Sequence, residues 1–121
     1  MKYILRRTNK NGNSKVVFAV TSDDMEWTRK TLIPELEMNL QLMGLSSCNA
    51  TVSWCGSEDY RNDLALLSSC NHSIISYGTY GTWSALMAGG NTVVFKLDPS
   101  GKRSISAQRF GRLFANWKIM N

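Results

Sequence analysis

Short runs of β-branched and apolar side chains, each fenced by polar turn residues and followed by a stretch of helical character, restrict what this chain can become more than any other feature. Lys15-Val-Val-Phe-Ala-Val20 is continuous and apolar between loop residues, the pattern of a strand buried on both faces. Thr21-Ser22-Asp23-Asp24 then offers helix-capping side chains, and Met25, Trp27, Thr28 and Leu32 follow as a short helix expected to end before Pro34. Ala50-Thr-Val-Ser-Trp54 reads as a second strand. Ser57 is placed to cap the next helix, with Glu58 and Asp59 in its first turn and Tyr60, Leu64 and Leu67 on its inward face. His72 to Ser76 is a third strand, Tyr77 to Gly81 a glycine turn, Thr82 to Ala88 a helix stopped by Gly89-Gly90, and Thr92 to Phe95 a fourth strand. Strands alternating with helices predict an α/β chain whose parallel sheet carries helices on both faces.

The ends carry weaker signals. Met1, Ile4 and Leu5 have helical spacing before the polar stretch Asn9 to Ser14, and Leu36, Leu40 and Met43 form a second apolar row that Gly44 terminates. Near the carboxyl end, Phe110, Leu113, Phe114 and Trp117 also recur at helical spacing and predict a terminal element packed on the sheet. With 121 residues, the chain has the length of one domain. No apolar run approaches the roughly 20 residues of a membrane span, and no leader peptide is expected from the opening residues.

A formal net charge of +5 invites a nucleic-acid reading. The charge is unevenly placed: residues 1–22 carry five bases and no acid, residues 23–95 three bases and eight acids, and residues 96–121 six bases and one acid. An acidic middle, and basic ends without interleaved aromatics, argue against a polyanion partner. Three cysteines without a CxxC pair, together with a single histidine, leave no ligand set for zinc. His72 opens an apolar strand and is expected to be a hydrogen-bonded structural residue, and Met25, Trp27, Trp54 and Trp83 are expected in the core. Asn49-Ala-Thr51 and Asn71-His-Ser73 both satisfy the glycosylation sequon, the second at a position expected to open a buried strand.

Ligands of open parallel sheets bind beyond the carboxyl ends of the strands. Three turns qualify: Ser22-Asp23-Asp24, Gly56-Ser57, and Tyr77-Gly78-Thr79-Tyr80-Gly81-Thr82. In the last, Gly78 and Gly81 permit close backbone approach, and Thr79 and Thr82 set hydroxyls at the positive end of a helix, a place suited to phosphate. Asp63 is a carboxylate on an otherwise apolar helix face, positioned for the edge of a nucleotide base. Asp23 and Asp24 read first as a cap and its solvated neighbour.

Three blocks in this order, Val16-Val-Phe-Ala-Val-Thr-Ser-Asp-Asp-Met-Glu-Trp27, Asp63-Leu-Ala-Leu-Leu-Ser-Ser-Cys-Asn-His-Ser-Ile-Ile75 and Gly78-Thr-Tyr-Gly-Thr-Trp83 with Gly89-Gly90, resemble the galactoside alpha-1,2-fucosyltransferases of glycosyltransferase family 11, the invertebrate branch most closely. The resemblance covers residues 1–97 well and the tail weakly. It implies a GT-B-type enzyme that transfers L-fucose from GDP-fucose, with inversion and without a required metal or other cofactor, to the 2-hydroxyl of a terminal galactose on a glycan acceptor. It also implies a Golgi lumen setting, with membrane attachment through a segment this sequence does not contain.

On this resemblance, residues 1–121 are a single, incomplete GDP-fucose-binding domain, a partial Rossmann-like parallel sheet. Asp63 matches the acid that bonds guanine, Gly78, Thr79, Tyr80, Gly81 and Thr82 the turn and helix start facing the pyrophosphate, and Ser22 and Asp23 the turn beside the nucleoside. No side chain stands out as the catalytic base. The family's basic HxRRGD-like block has no counterpart here, and Arg6-Arg7-Thr8 stands in a different context. An alternative expectation follows from that difference: an inactive nucleotide- or partner-binding remnant.

Overall fold

The computed structural model describes residues 15–44, 49–76, 78–95 and 105–120. The expected amino-terminal helix and loop therefore lie outside the described residues, as does Tyr77. The chain divides into two units, residues 1–63 and 64–121.

In the first unit, β1 (Val16–Val20) pairs in parallel with β2 (Ala50–Trp54), Val16 opposite Ala50 and Val20 opposite Trp54. Between them runs a helical stretch of three parts: α1 (Met25–Trp27), a π turn (Thr28–Leu32) and α2 (Ile33–Leu42). The Asp24 carboxylate caps its start by accepting from the Trp27 N–H at 3.0 Å. The helix does not end before Pro34 as expected. Pro34 has no N–H to offer the Lys30 carbonyl, and its ring crowds that oxygen. The turn opens instead, the Ile33 N–H bonds the Thr28 carbonyl five residues back, and the helix continues.

Leu40 of α2 is buried with Ala50 and Val52, and Val16, Phe18, Val20, Ile33 and Leu36 pack around them. β1 is not buried on both faces: Val17 is 62% exposed, so the strand has a wet side despite its unbroken apolar sequence. Its pairing explains this, because among the described residues β1 has β2 as its one partner strand.

The residues after β2 lead into α3 (Tyr60–Ser68). Asp59, not Ser57, is the residue that caps it. The Asp59 carboxylate accepts from the Arg61 N–H at 2.9 Å and its carbonyl accepts from the Asn62 N–H at 3.0 Å, while the Ser57 hydroxyl accepts from the Asp59 N–H at 3.1 Å. Tyr60 is exposed rather than inward-facing.

The second unit is a parallel three-stranded sheet ordered β3 (Ser73–Ile75), β4 (Thr92–Phe95), β5 (Trp117–Met120), linked by α4 (Thr79–Ala88) and α5 (Ile105–Leu113). Ile75, Val94 and Ile119 lie side by side in register and meet Ala85, Leu86 and Phe110 from the two helices. β4 lies between β3 and β5, and Thr92, Val93 and Val94 are all 0% exposed.

Two readings of this region are corrected. The helix after β3 starts at Thr79, three residues before the expected Thr82, because Gly78 takes the whole reversal at φ 96°. Few side chains tolerate that backbone region. Trp117 is not in a terminal helix but opens β5, with Trp117 and Ile119 turned inward and Lys118 and Met120 outward. The expected stop after Ala88 holds: Gly89 is left-handed at φ 72°, and its N–H bonds the Ala85 carbonyl. Gly90 approaches the Asn71 carbonyl so closely that a Cβ would collide with it. The expected structural role of His72 also holds, since Nδ1 accepts from the Asn91 N–H at 3.1 Å.

Candidate functional site

The strands pair in parallel, and the predicted site residues lie in the segments that follow β1, β2 and β3: Ser22 and Asp23 in a turn, Asp63 in α3, Gly78 just before α4 and Thr79 to Thr82 in its first turn. Ser22, Asp23 and Asp63 belong to the first unit, and Gly78 to Thr82 to the second.

After β1, the Asp24 N–H is shared by the Ser22 hydroxyl and the Asp23 carboxylate, each at 3.1 Å. Both groups therefore tighten the turn, and the Asp23 carboxylate stays exposed. After β2, the Cys55 N–H extends the ladder to the Val20 carbonyl at 2.9 Å, so the two turns leave from adjacent strands at one level. Asp63 reaches back from α3, where Oδ1 accepts from the Ser57 N–H at 2.8 Å. This bond ties the loop after β2 to the helix and leaves the second carboxylate oxygen with no donor among the described residues. Beside them Asp59 and Arg61 form a bidentate pair, 2.8 Å at its shortest, which holds the exposed Asp59 carboxyl below the ordinary carboxylate range and raises the Arg61 guanidinium.

Trp54 ends β2 with its ring against Gly56, where a Cβ would overlap it, and the Arg29 guanidinium carbon lies over that ring at 5.1 Å from its centre. The sequence places Trp54 in the core and at the end of a strand and gives Arg29 no role. A base one helical turn past a strand-ending acidic turn, with an aromatic closing the next strand, is the pattern that would have found the pair.

In the second unit Gly78 is the N-cap residue of α4, and no side-chain hydrogen bond caps the helix there. Thr79 and Tyr80 are exposed and, with Leu64, Trp83 and Met87, line a largely apolar cleft of about 630 Å³. Trp83 is 59% exposed, and Met25 and Trp27 also reach the surface, so three of the four residues assigned to the core do not lie in it. Gly81 lies against β3, where a Cβ would meet Ile75 at 3.4 Å, an ordinary contact. Thr82 is 2% exposed and its hydroxyl donates to the Gly78 carbonyl at 2.7 Å, bracing the reversal from below. Among the described residues no group of His, Cys, Asp and Glu could hold a metal ion, and no helix is long and apolar enough to cross a membrane.

Parallel strands joined by helices, with the polar turns gathered at the carboxyl ends, define an α/β protein compatible with a Rossmann-like fragment. Comparison with known sequences makes the class specific. The profile described as "Glycosyl transferase family 11" matches residues 2–100, and the chain belongs to that family. It is 37% identical over 83 residues to the galactoside 2-alpha-L-fucosyltransferase Sec1 of Mus musculus, covering 66% of this chain and 19% of that protein. It is 38% identical over 78 residues to the galactoside alpha-(1,2)-fucosyltransferase 1 of Homo sapiens, covering 64% and 18% respectively. The chain thus spans about a fifth of the length of the curated relatives it matches. No solved structure matches it.

Proposed function

We propose that this chain carries donor-site elements of a galactoside alpha-1,2-fucosyltransferase, which moves L-fucose from GDP-fucose to the 2-hydroxyl of a terminal galactose. The family membership and the names of the relatives support the reaction class. The observation that carries the donor assignment is the uncapped start of α4 behind Gly78, where aligned amides and the helix dipole favour an anion.

In this reading the acceptor 2-hydroxyl oxygen attacks the fucose anomeric carbon and gives up its proton to solvent, the bond from that carbon to the diphosphate oxygen breaks, and the departing GDP takes the electron pair. The Thr79 amide and the dipole of α4 meet the negative charge that develops on the diphosphate, with Tyr80 beside them and no metal required. The Asp63 oxygen left without a donor among the described residues accepts from the guanine edge, and the turn at Ser22 and Asp23 borders the nucleoside. Thr82 and Gly81 support the reversal from inside the fold. The setting is the Golgi lumen, as the resemblance implies.

Calorimetry with GDP tests the assignment. Binding that is lost in Asp63→Ala, and weakened in Gly78→Ala through the strain imposed at φ 96°, is the expected result. Transfer of radiolabelled fucose to lactose then tests the reaction itself. Absence of GDP binding by the parent chain would refute the donor assignment.

A further inference from the structure

Asn49-Ala-Thr51 has no part in the donor site proposed above, yet it satisfies the glycosylation sequon. A glycan is bulky and hydrated, so the fold can keep one only where it leaves the asparagine beside open solvent.

The first unit provides that room. The Asn49 carbonyl accepts from the Val16 N–H at 2.8 Å, which continues the parallel ladder one step before the start of β2. Side chains alternate across a strand. Ala50 and Val52 are buried with Leu40, whereas Thr51 and Ser53 are exposed. Asn49, two places before Thr51, falls on the exposed side by the same alternation, and it is half-buried rather than enclosed. Val17, the β1 residue level with Thr51, is 62% exposed, so the face stays open across both strands. The position also keeps a glycan clear of the polar turns. The five residues of β2 separate Asn49 from the Cys55 to Ser57 turn, roughly 16 Å at the rise of an extended strand. Because β1 runs parallel to β2, the Ser22 turn leaves from that same far end.

We propose that Asn49 is an N-glycan acceptor whose oligosaccharide lies on the open face of the β1 and β2 pair. This rests on the lumenal setting of the reading above. The co-reactant is a polyprenyl-diphosphate-linked oligosaccharide. Asn49 Nδ2 bonds to the anomeric carbon of its first N-acetylglucosamine, the bond from that carbon to the diphosphate oxygen breaks, the carrier diphosphate leaves with the electron pair, and the amide gives up one proton to solvent.

The test resolves each asparagine. The whole chain is sent into the secretory pathway of a mammalian cell line behind a cleavable leader, collected from cells and medium together, and treated with peptide-N-glycosidase in heavy-oxygen water, which turns every formerly glycosylated asparagine into a labelled aspartate. Label at Asn49, with a matching gain in electrophoretic mobility, is the expected result. Asn49→Gln and Thr51→Ala are expected to lose that label completely, and Thr51→Ser, which keeps a hydroxyl, to retain it. Thr51 is exposed, so its variants leave the core around Leu40 intact. A parent chain with its leader removed but no label at Asn49 overturns the proposal. Label at Asn71 alone does the same, as does label at Asn49 that survives Thr51→Ala. The setting is read separately, on the natural protein: no label there, beside a secreted chain labelled at Asn49, refutes the Golgi lumen and leaves Asn49 as the acceptor this fold accommodates.

Discussion

β1 and β4 are nearly interchangeable as text, Val-Val-Phe-Ala-Val and Thr-Val-Val-Phe, yet the structure treats them differently. β4 has a strand on each side and its first three residues are wholly buried, whereas β1 has one partner among the described residues and exposes Val17. An unbroken apolar run states that a strand can be buried; the number of neighbours decides how much of it is. The same contrast separates the two cores. The first is built from mainly aliphatic side chains around Leu40, Ala50 and Val52, with Phe18 as the one aromatic packed against them among the described residues. The second adds an aromatic triad, with Phe110, Phe114 and Trp117 centred 5.8 to 6.3 Å apart.

Substitutions can break this comparison or sharpen it. Trp117→Ala is expected to have the largest effect, about 3–5 kcal/mol of stability in urea denaturation, because it empties the centre of the aromatic triad. Gly90→Ala comes next at roughly 1–3 kcal/mol, since its Cβ would strike the Asn71 carbonyl and force the β3 and β4 openings apart. Asp24→Ala, in the first unit, removes a helix cap and is expected to cost about 1 kcal/mol. Val17→Ala should stay within about 0.5 kcal/mol. A Val17 effect as large as that of a buried β4 valine would show that β1 is covered on both faces after all, and would dissolve the contrast.

The smallest expected effect is electrostatic. Asp59 has a folded-state pKa below its ordinary value, so its stabilising contribution is present at neutral pH and fades as acid protonates it below about pH 4. Carbon-detected titration of the Asp59 carboxyl should show the lowered midpoint, and Arg61→Ala should return it toward the ordinary value. Because the pair is exposed, little change in overall stability is expected.

The same physics separates what the sequence disclosed from what it did not. β1, β2 and β4 were legible because β-branched runs between polar turns leave few alternatives, and Gly89 was legible because a left-handed helix end selects glycine. α4 was misplaced by three residues because Gly78 performs alone a reversal that two glycines suggested would be shared. β5 was missed because Phe110, Phe114 and Trp117 satisfy a helical period, although the alternation from Trp117 to Met120 satisfies a period of two. Among the candidate site residues, Asp63 was recognisable as a carboxylate on the helix after β2, but its bond to the Ser57 amide depends on a loop path that spacing does not encode. Arg29 was passed over for a similar reason, since the ring that holds it is 25 positions away in the sequence.

The widened turn ahead of Pro34 has a consequence for how this segment tolerates change in length. A helix advances about 100° per residue, so removing one residue between Lys30 and Leu32 would swing everything before it around the axis by roughly that angle. Leu36 and Leu40 would keep their seats while Arg29 rotated off the indole. The segment's residue count, more than its composition, aims its charge.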